Sequence, residues 1–426
     1  MLKRVIPILL LFIFIVQYAY PCTAVIISGK HTPDGRPLMW KHRDTKVFDN
    51  KLVYVDNDNN DGKYSAIGLV DSGEAHSGEI WIGFNNVGFA IMNTMSYNIE
   101  GNGAQNAYFM REALMECASV DEFEEFIKSR ERPRNVRSNF GVIDAEGGAA
   151  FFETGDEQIT RFNVDDTKVA PHGYIIRTNY SVDGYEIDGT GQEGVGYIRF
   201  ETAEKKFYRA MGENDLSVSF LLEEMMTSLE NPLSEENAEK DMKPADEDDF
   251  FYFQDCINRY TSSSSIIIQG VKENESPLLT TMWSKIGFPL SSVVVPVWIT
   301  PEGSLPEVIS APENETAELC DFALELKKIM IPSTRGSRQN YINSTKVYNA
   351  DGTGIVQLLK PLNRKIYEKT MEKKKEWNDE LPPEDEVKQL YHWYDKKIRE
   401  TYEEEFGLNK NSGEEGVNNS NNAPVY

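Results

Sequence analysis

Cys22 is the residue of this sequence whose position could give it unusual chemistry. Residues 1–21 begin with MLKR, continue with the apolar run VIPILLLFIFIV and end with QYAYP, an order typical of a removable secretory signal peptide. Its removal would leave Cys22 with both a thiol and a free α-amine. The thiolate is the reactive form of cysteine, and an α-amine titrates at about pH 8, so the amine could serve as base for its own thiol. The pattern predicts an amino-terminal cysteine nucleophile.

Pro21 makes signal cleavage directly before Cys22 unfavourable. Cleavage after Ala19 is closer to the small-residue rule and would leave Tyr20 and Pro21 as a remnant. We therefore expect the thiol to remove this remnant by attacking the peptide bond that precedes it. A lipid-anchored cysteine is an alternative, but that route requires a small residue directly before the cysteine.

The other cysteines, Cys117, Cys256 and Cys320, are too sparse to indicate a disulfide scaffold. If Cys22 is a free nucleophile, three cysteines remain, so at least one has no intramolecular partner. We expect all three to be small buried apolar residues.

The segment after Cys22 predicts a β-hairpin. TAVIIS, residues 23–28, is β-branched and apolar, residues 32–37 are rich in turn formers, and LMWKHRD, residues 38–44, is a second strand. This hairpin would bring Asp44 back beside Cys22. Four further strand-like runs separated by Gly, Asn and Asp follow as far as about residue 96 and predict a sheet built by meander.

The rest of the chain alternates helical and strand patterns. Residues 106–130 predict two helices with Ser119 as a cap, residues 138–181 return to strands, and a helix opens near Arg199. A final group of strands runs from the Ser262–Ser265 run to about residue 300. We expect residues 1–21 to be a signal peptide or short propeptide, 22–312 the main domain, 313–410 a helical extension broken near Pro382, and 411–426 a disordered tail.

Five short motifs occur in a fixed order along the main domain. They are Cys22-Thr23 opening a strand, Gly83–Ala90, Asn139-Phe140 with the Asp144 turn, Thr178-Asn179, and Arg199-Phe200 at a helix start. Together they resemble the N-terminal nucleophile hydrolases. The nearest resemblance is to the branch of choloylglycine hydrolases and acyl-coenzyme A:6-aminopenicillanic acid acyltransferases. The resemblance implies an α+β protein with a four-layer αββα sandwich and a reaction without metal or cofactor.

The resemblance implies roles for the charged strand of the hairpin. Asp44 matches the acid that holds the α-amine in this family, and Lys41 stands where the family has Arg. Lys41 keeps a positive charge that would favour the thiolate but lacks the bidentate geometry of Arg. Arg43 could fill the Arg position instead, although a regular strand points it like Lys41 and away from Asp44. An exposed edge strand is the alternative interpretation of these charges.

Three downstream residues complete the implied site. Asn179 would be the oxyanion donor, Asn93 a second donor through its side chain or a neighbouring backbone N–H, and Arg199 an anchor that pairs with carboxylates or substrate. The alternatives are a turn asparagine, a strand asparagine and a helix-surface arginine, respectively.

Composition excludes several other classes of protein. A net charge of −25 argues against nucleic acid and anionic lipid as partners. His42, His76 and His172 do not have metal-ligand spacing, and no second segment is long and apolar enough to span a bilayer. We therefore expect a soluble mature protein, exported to the periplasm or secreted.

These inferences predict an exported cysteine amidohydrolase for linear amides such as N-acyl amides, bile-salt conjugates or small peptides. Hydrolysis is favoured over acyl transfer because acyl-coenzyme A is scarce outside the cell. An acyltransferase of the same family and a non-catalytic exported binding protein on the same fold remain alternatives. The sequence leaves a homo-oligomer open.

Overall fold

Two large antiparallel sheets dominate the computed structural model, which describes residues 21–57, 62–73, 78–186 and 194–409. The predicted signal peptide and disordered tail lie outside the described residues, except for Pro21. Within those residues no helix is both long and apolar enough to cross a membrane.

The first sheet has six strands in the order β10-β1-β2-β12-β13-β14. Its central hairpin, β1 and β2, pairs Thr23 with His42 and confirms the hairpin predicted from the sequence. The strand bounds are β1 Thr23–Ile27, β2 Leu38–Asp44, β10 Tyr174–Arg177, β12 Ser262–Gln269, β13 Thr281–Ile286 and β14 Val295–Val297.

The second sheet is a seven-stranded meander in which each strand pairs with the next along the chain. The predicted run of strands separated by Gly, Asn and Asp turns is therefore confirmed. The bounds are β3 Asn50–Val55, β4 Ala66–Asp71, β5 Ile82–Asn85, β6 Ala90–Met95, β7 Ser138–Ile143, β8 Ala149–Thr154 and β9 Ile159–Asn163.

The two sheets pack face to face. A Cβ added at Gly141 of β7 would lie 3.0 Å from Cδ1 of Ile26 in β1, so the glycine leaves room for this side chain of the facing sheet. Side chains alternate across a strand. Ile26 therefore marks the inner face of the six-stranded sheet, whereas Trp40, whose ring lies 6.5 Å from that of Phe207, marks the outer face.

Helices cover both outer faces, which confirms the predicted αββα order. On the seven-stranded sheet, Phe123 of α2 contacts Phe152 of β8 with ring centroids 5.2 Å apart, and Ser119 caps α2 as predicted by accepting from the Glu122 N–H. On the six-stranded sheet lie the helix of Phe207 and the carboxyl-terminal helices. The helix bounds are α1 Asn106–Glu116, α2 Val120–Ser129, α3 Tyr197–Gly212, α4 Val218–Phe220, α5 Glu318–Met330, α6 Ser344–Val347, α7 Ile355–Trp377 and α8 Glu384–Phe406.

The carboxyl-terminal region is helical, as expected, and α7 and α8 are separated at the predicted Leu381–Pro383 break. Its apolar residues, such as Leu359 and Tyr402, belong to the same core cluster as Ile26 of the central strand. The sequence does not predict one pairing, in which β11 Phe250–Tyr252 joins β15 Tyr341–Asn343. Three-residue strands carry too short a pattern to be read, and their partners are distant in the sequence.

Candidate active site

Cys22 directly precedes central strand β1 and is only 7% exposed. Its backbone N–H, still part of the peptide bond with Pro21, donates a hydrogen bond to Oδ1 of Asn179 at 2.8 Å. Asn179 is brought there because β1 pairs with β10 in a register that matches Ala24 with Arg177. The register therefore places Asn179, two residues beyond Arg177, directly opposite Cys22.

Arg199, in helix α3, also binds the backbone of Cys22. Its Nη1 donates to the carbonyl oxygen of Cys22 at 2.5 Å and to Oγ1 of Thr23 at 2.7 Å, and its Nη2 donates to Oδ1 of Asn179 at 3.1 Å. Gly196 precedes α3 with φ 91°, and a Cβ there would come within 2.3 Å of Arg199 Nη2, so glycine is required beside the guanidinium.

Arg199 is therefore not a surface residue of its helix. It is 1% exposed, and burial lowers the pKa of its guanidinium to about 9, with the charge of Arg259 acting in the same direction. Its hydrogen-bond acceptors are neutral oxygens of Cys22, Thr23 and Asn179 rather than the carboxylates expected from the sequence. Its pairing with substrate stays a prediction.

Lys41 lies on the inner face of the sheet, as Cys22 does. Thr23 pairs with His42, so the residues before each, Cys22 and Lys41, share the opposite face. The Nζ of Lys41 donates to the carbonyl oxygen of Trp81 at 2.6 Å and to Oδ1 of Asn93 at 2.8 Å. Burial lowers the pKa of the Lys41 ammonium to about 7, while negative charge on Cys22 acts to raise it. The lysine is thus electrostatically linked to the candidate nucleophile.

Arg43 also lies on the inner face, but it contacts other residues than Cys22. Its guanidinium forms a bidentate pair with Asp71, at 2.6 and 2.8 Å, and lies 4.5 Å from the centre of the Trp81 ring. As expected from strand alternation, it points like Lys41 and away from Asp44. The contacts therefore favour Lys41, rather than Arg43, as the cation that acts on Cys22.

Asn93 connects Lys41 to the seven-stranded sheet. Its Oδ1 accepts from Lys41, and its Nδ2 donates to Oγ of Ser138 at 2.9 Å. Asn179 uses its Nδ2 to donate to the carbonyl oxygen of Met95 at 2.8 Å. Asn179 therefore contacts Cys22 directly, whereas Asn93 contacts Lys41, and the roles of both as oxyanion donors stay predictions.

Asp44 lies on the outer face with Thr23 and His42, as strand alternation requires. Its Oδ1 accepts from the hydroxyl of Ser262 at 2.8 Å, and its Oδ2 lies 3.5 Å from Nε of Arg259 without a hydrogen bond from any described residue. Burial raises the pKa of the carboxyl to about 6, although Arg259 and Arg199 act to lower it. That Asp44 binds the α-amine of Cys22 stays a prediction.

His42 belongs to the same outer group. Its Nε2 is 2.8 Å from Oγ of Ser262, and because the Ser262 hydroxyl donates to Asp44, Nε2 must carry the proton. Burial lowers the pKa of the imidazole to about 3, so the ring is neutral. Among the described residues no group of His, Cys, Asp and Glu could hold a metal ion; His76 lies outside them.

The remaining cysteines are buried, as expected, and no disulfide joins the four. Burial raises the pKa of Cys117 and of Cys256 to about 12 and that of Cys320 further, so these thiols are inert at neutral pH.

Sequence reasoning missed the contribution of Arg259 and Ser262, which surround Asp44, and of Lys327. The Nζ of Lys327 donates to the carbonyl oxygen of Tyr260 and lies 3.5 Å from the centre of the Phe48 ring. Nothing local pointed to Arg259 or Lys327, and the only signal for Ser262 was the serine run at the start of a predicted strand. It did not distinguish a site from a strand end.

The sequence model of the acyl-coenzyme A:6-aminopenicillanic acid acyl-transferase family matches residues 32–283. No curated protein matches the chain.

Three solved structures are distantly similar. A variant of conjugated bile acid hydrolase from Clostridium perfringens is 12% identical, with a TM-score of 0.38 over 65% of this chain and 92% of that one. Penicillin V acylase from Agrobacterium tumefaciens is 10% identical, with a TM-score of 0.35 over 66% and 86%. The Caenorhabditis elegans N-acylethanolamine-hydrolyzing acid amidase ortholog is 12% identical, with a TM-score of 0.34 over 60% and 93%. These likenesses are too distant to bear on the substrate.

Proposed function

Because this chain belongs to the acyl-coenzyme A:6-aminopenicillanic acid acyl-transferase family, a family of amide-bond hydrolases and acyltransferases, we propose that it is an exported cysteine amidohydrolase. Cys22 becomes the amino-terminal nucleophile once residues 1–21 are removed. The substrate is a linear amide, such as an N-acyl amide, a bile-salt-like conjugate or a small peptide.

The observation that carries the proposal is the way in which Cys22 is held at both of its backbone polar atoms. Its nitrogen is bound by Asn179, and its carbonyl oxygen is bound by Arg199. These side chains come from 157 and 177 residues downstream, and both are buried. A strand residue needs no arginine on its carbonyl, whereas a nucleophile and base held in one residue need their orientation fixed.

The reaction follows from the two groups on Cys22. In the uncleaved chain the nitrogen is an amide and cannot accept a proton, so loss of the Pro21–Cys22 bond is the activating step. The α-amine then takes the thiol proton as sulfur adds to the substrate carbonyl carbon. Collapse of the intermediate breaks the C–N bond, the proton passes to the leaving amine, and a thioester remains. Water then releases the acid and restores the thiol.

The two faces of the sheet support different parts of this reaction. On the inner face, Lys41 is proposed to act on the Cys22 thiol as a cation. Asn93 and Asn179 are proposed to donate to the oxyanion, which requires their amide N–H groups to leave Ser138 and the Met95 carbonyl oxygen. On the outer face, Oδ2 of Asp44 has no hydrogen-bond donor among the described residues and can accept from the α-amine that cleavage creates. Asn179 Oδ1, which accepts from the Cys22 nitrogen before cleavage, remains available to the same amine.

Replacing the nucleophile tests the proposal, with Cys256→Ala as the matched control. We expect Cys22→Ala to keep its fold, to lose at least 1000-fold in hydrolysis of a panel of N-acyl amides and dipeptides, and to retain the Tyr20-Pro21 remnant by intact mass. The control should be processed and active. In the parent protein, iodoacetamide at neutral pH should label Cys22 before the other three cysteines. Full amidase activity in Cys22→Ala would disprove the cysteine mechanism.

Acyl transfer is the second candidate, and the description of the matching family favours it. The same thioester would be resolved by an amine instead of water. Adding hydroxylamine or an amino acid during turnover and measuring the ratio of amide to acid products distinguishes the two. A non-catalytic binding protein would give neither product and no preferential labelling of Cys22.

A further inference from the structure

Helix α5 of the carboxyl-terminal region packs beside the end of strand β2 at which Asp44 lies. Its Cys320 thiol donates to the carbonyl oxygen of Phe48 at 3.4 Å and accepts from the N–H of Asn50 at 3.4 Å. The family model that matches this chain ends at residue 283, before α5 begins. The helix therefore brings side chains from outside the matched region towards Asp44.

Lys327 of α5 extends its side chain into a cage of three aromatic rings. Its Nζ lies 3.5 Å from the ring centre of Phe48, 4.6 Å from that of Tyr260 and 4.7 Å from that of Phe288. Lys327 is only 6% exposed, so these cation–π contacts replace part of the hydration of its ammonium. The cage holds the ammonium between the segment that follows β2 and the segment that precedes β12.

The same ammonium binds the turn that carries the partners of Asp44. Lys327 Nζ donates to the carbonyl oxygen of Tyr260 at 2.6 Å. The turn is closed by the Ser262 N–H, which donates to the carbonyl oxygen of Arg259 at 3.0 Å. It supplies both the Arg259 guanidinium and the Ser262 hydroxyl that contact Asp44. Lys327 is thus bound in the middle of the segment that surrounds this carboxylate.

Cations from three elements act on Asp44. They are Arg259 in the turn, Arg199 in α3 and Lys327 in α5. Burial raises the pKa of the Asp44 carboxyl to about 6, and all three cations act to lower it. The neighbouring His42 is neutral and adds no charge. Lys327 is the cation that the carboxyl-terminal region contributes.

The influence is reciprocal. Burial lowers the pKa of the Lys327 ammonium to about 7, while negative charge on Asp44, and to a smaller extent on Cys320, acts to raise it. Burial raises the pKa of the Cys320 thiol, which is therefore uncharged at neutral pH. Asp44 is thus the anion that stabilises the charged form of Lys327, and Lys327 stabilises the charged form of Asp44.

We propose that Lys327 is a positioning residue of the active site, whose caged ammonium keeps the Asp44 carboxylate ionised so that it can bind the α-amine of Cys22. The inference rests on the proposed function, in which Asp44 accepts from that amine. A cation near a carboxylate lowers its pKa, so loss of Lys327 should leave Asp44 protonated up to a higher pH. The helical carboxyl-terminal region then contributes to the reaction as well as covering the sheet.

Lys327→Met and Lys327→Gln test this inference in the mature enzyme. Both remove the charge; methionine keeps the apolar stem, and glutamine keeps a donor for the Tyr260 carbonyl oxygen. We expect kcat/KM on the substrate found by the amide panel to fall about fivefold or more at pH 6. At pH 9 the fall should be less than about twofold, because Asp44 is then ionised with or without Lys327.

Lys328→Met is the matched control. The Lys328 side chain is 69% exposed and pairs with Glu325, so this variant should keep the parental pH profile. A structural defect would lower kcat/KM by the same factor at every pH. Such a uniform loss, or a parental pH profile in Lys327→Gln, would overturn the inference.

The full chain with Cys22→Ala provides a test that needs no activity. Lys327→Met, Asp44→Asn and the double variant are compared in this background by urea unfolding at pH 6.5 and pH 4, with Lys327→Gln in place of Lys327→Met if the latter does not fold. We expect the shifts in urea midpoint to be non-additive at pH 6.5, with Lys327→Met better tolerated in the Asp44→Asn background, and additive at pH 4, where the carboxyl is mostly protonated.

Additive shifts at pH 6.5 would mean that Lys327 only fills its cage, and the inference would be wrong. Non-additive shifts at pH 6.5 in a protein whose parent hydrolyses no amide would support the interaction between Lys327 and Asp44 and refute the proposed function alone. The failure of one proposal is therefore distinguishable from the failure of the other.

Discussion

The two faces of strand β2 place alternate charged residues in different surroundings. On the inner face, Lys41 and Arg43 have strong acceptors in the seven-stranded sheet: the Trp81 carbonyl and Asn93 for the lysine, Asp71 for the arginine. On the outer face, Oδ2 of Asp44 and Nδ1 of His42 have no hydrogen-bond partner among the described residues. With Pro21 still attached, the charged groups of Lys41 and Arg43 on the inner face have hydrogen-bond partners. Oδ2 of Asp44 and Nδ1 of His42 on the outer face do not have such partners among the described residues.

Under the proposed maturation, this difference separates the contacts that exist before cleavage from those that the new α-amine would complete. Unsatisfied buried groups in native proteins concentrate at functional sites. The polar group that the proposed maturation would add near β2 is the α-amine of Cys22, and Asp44 has a carboxylate oxygen without a hydrogen-bond partner among the described residues. Inner-face variants should therefore alter the reactivity of the thiol, whereas outer-face variants should alter the amine and the stability of the protein.

The largest expected effect is on the inner face, at Lys41. Lys41→Met removes the cation beside Cys22, so kcat/KM should fall at least 100-fold, by about 3 kcal/mol. Lys41→Arg keeps the charge and should stay within about tenfold of the parent. Kinetics on the substrate found by the amide panel, together with the rate of Cys22 alkylation as a function of pH, measures both.

Lys51→Met is the matched control, because Lys51 is also a buried lysine of the sandwich but donates only to backbone carbonyls remote from Cys22. If Lys41→Met retained the parental alkylation rate, the reactivity of the Cys22 thiol would not depend on this cation. The proposed difference in function between the two faces of β2 would then be wrong.

The next effect is on the outer face, at Asp44. Its carboxyl has a pKa of about 6 in the fold against 3.8 in the unfolded chain, so the folded state binds more protons between these values and Asp44 costs stability as pH rises through that window. Asp44→Asn should therefore be more stable than the parent at pH 8, by up to about 3 kcal/mol, and equal to it near pH 4. Its turnover should fall about tenfold or more. Urea unfolding at both pH values measures the difference.

Maturation sharpens this prediction. In protein that retains Pro21, prepared with Cys22→Ala, the gain from Asp44→Asn should be full. In mature protein the α-ammonium can pair with the carboxylate and offset its burial, so the gain should shrink. An equal gain in both forms would mean that Asp44 does not contact the amine.

The elements and faces of this site could be predicted from the sequence, but its contacts could not. The hairpin, the meander and the helices follow from local periodicity and turn residues, and the period of two in LMWKHRD already placed Lys41 and Arg43 opposite Asp44. Which atoms meet depends on register between distant strands. Nothing local indicates that Asn179 reaches the nitrogen of Cys22 or that Arg199 reaches its carbonyl oxygen. Ser262 and Arg259 were missed for the same reason, since only the pairing of β12 with β2 brings them to Asp44.

The smallest effect distinguishes two neighbouring serines at the bulge where β12 meets β2. Ser262 donates to Asp44, whereas Ser263 donates to the carbonyl oxygen of Arg43 at 3.3 Å. Ser262→Ala removes the hydrogen bond to a carboxyl that is charged at pH 8 and mostly protonated at pH 4. It should therefore cost about 1–2 kcal/mol at pH 8 and less at pH 4, with turnover reduced less than tenfold. Ser263→Ala should cost less than about 1 kcal/mol at both pH values. Equal pH dependence in the two variants would show that Ser262 does not stabilise the charged form of Asp44. The charged carboxylate would then be stabilised by Arg259 instead.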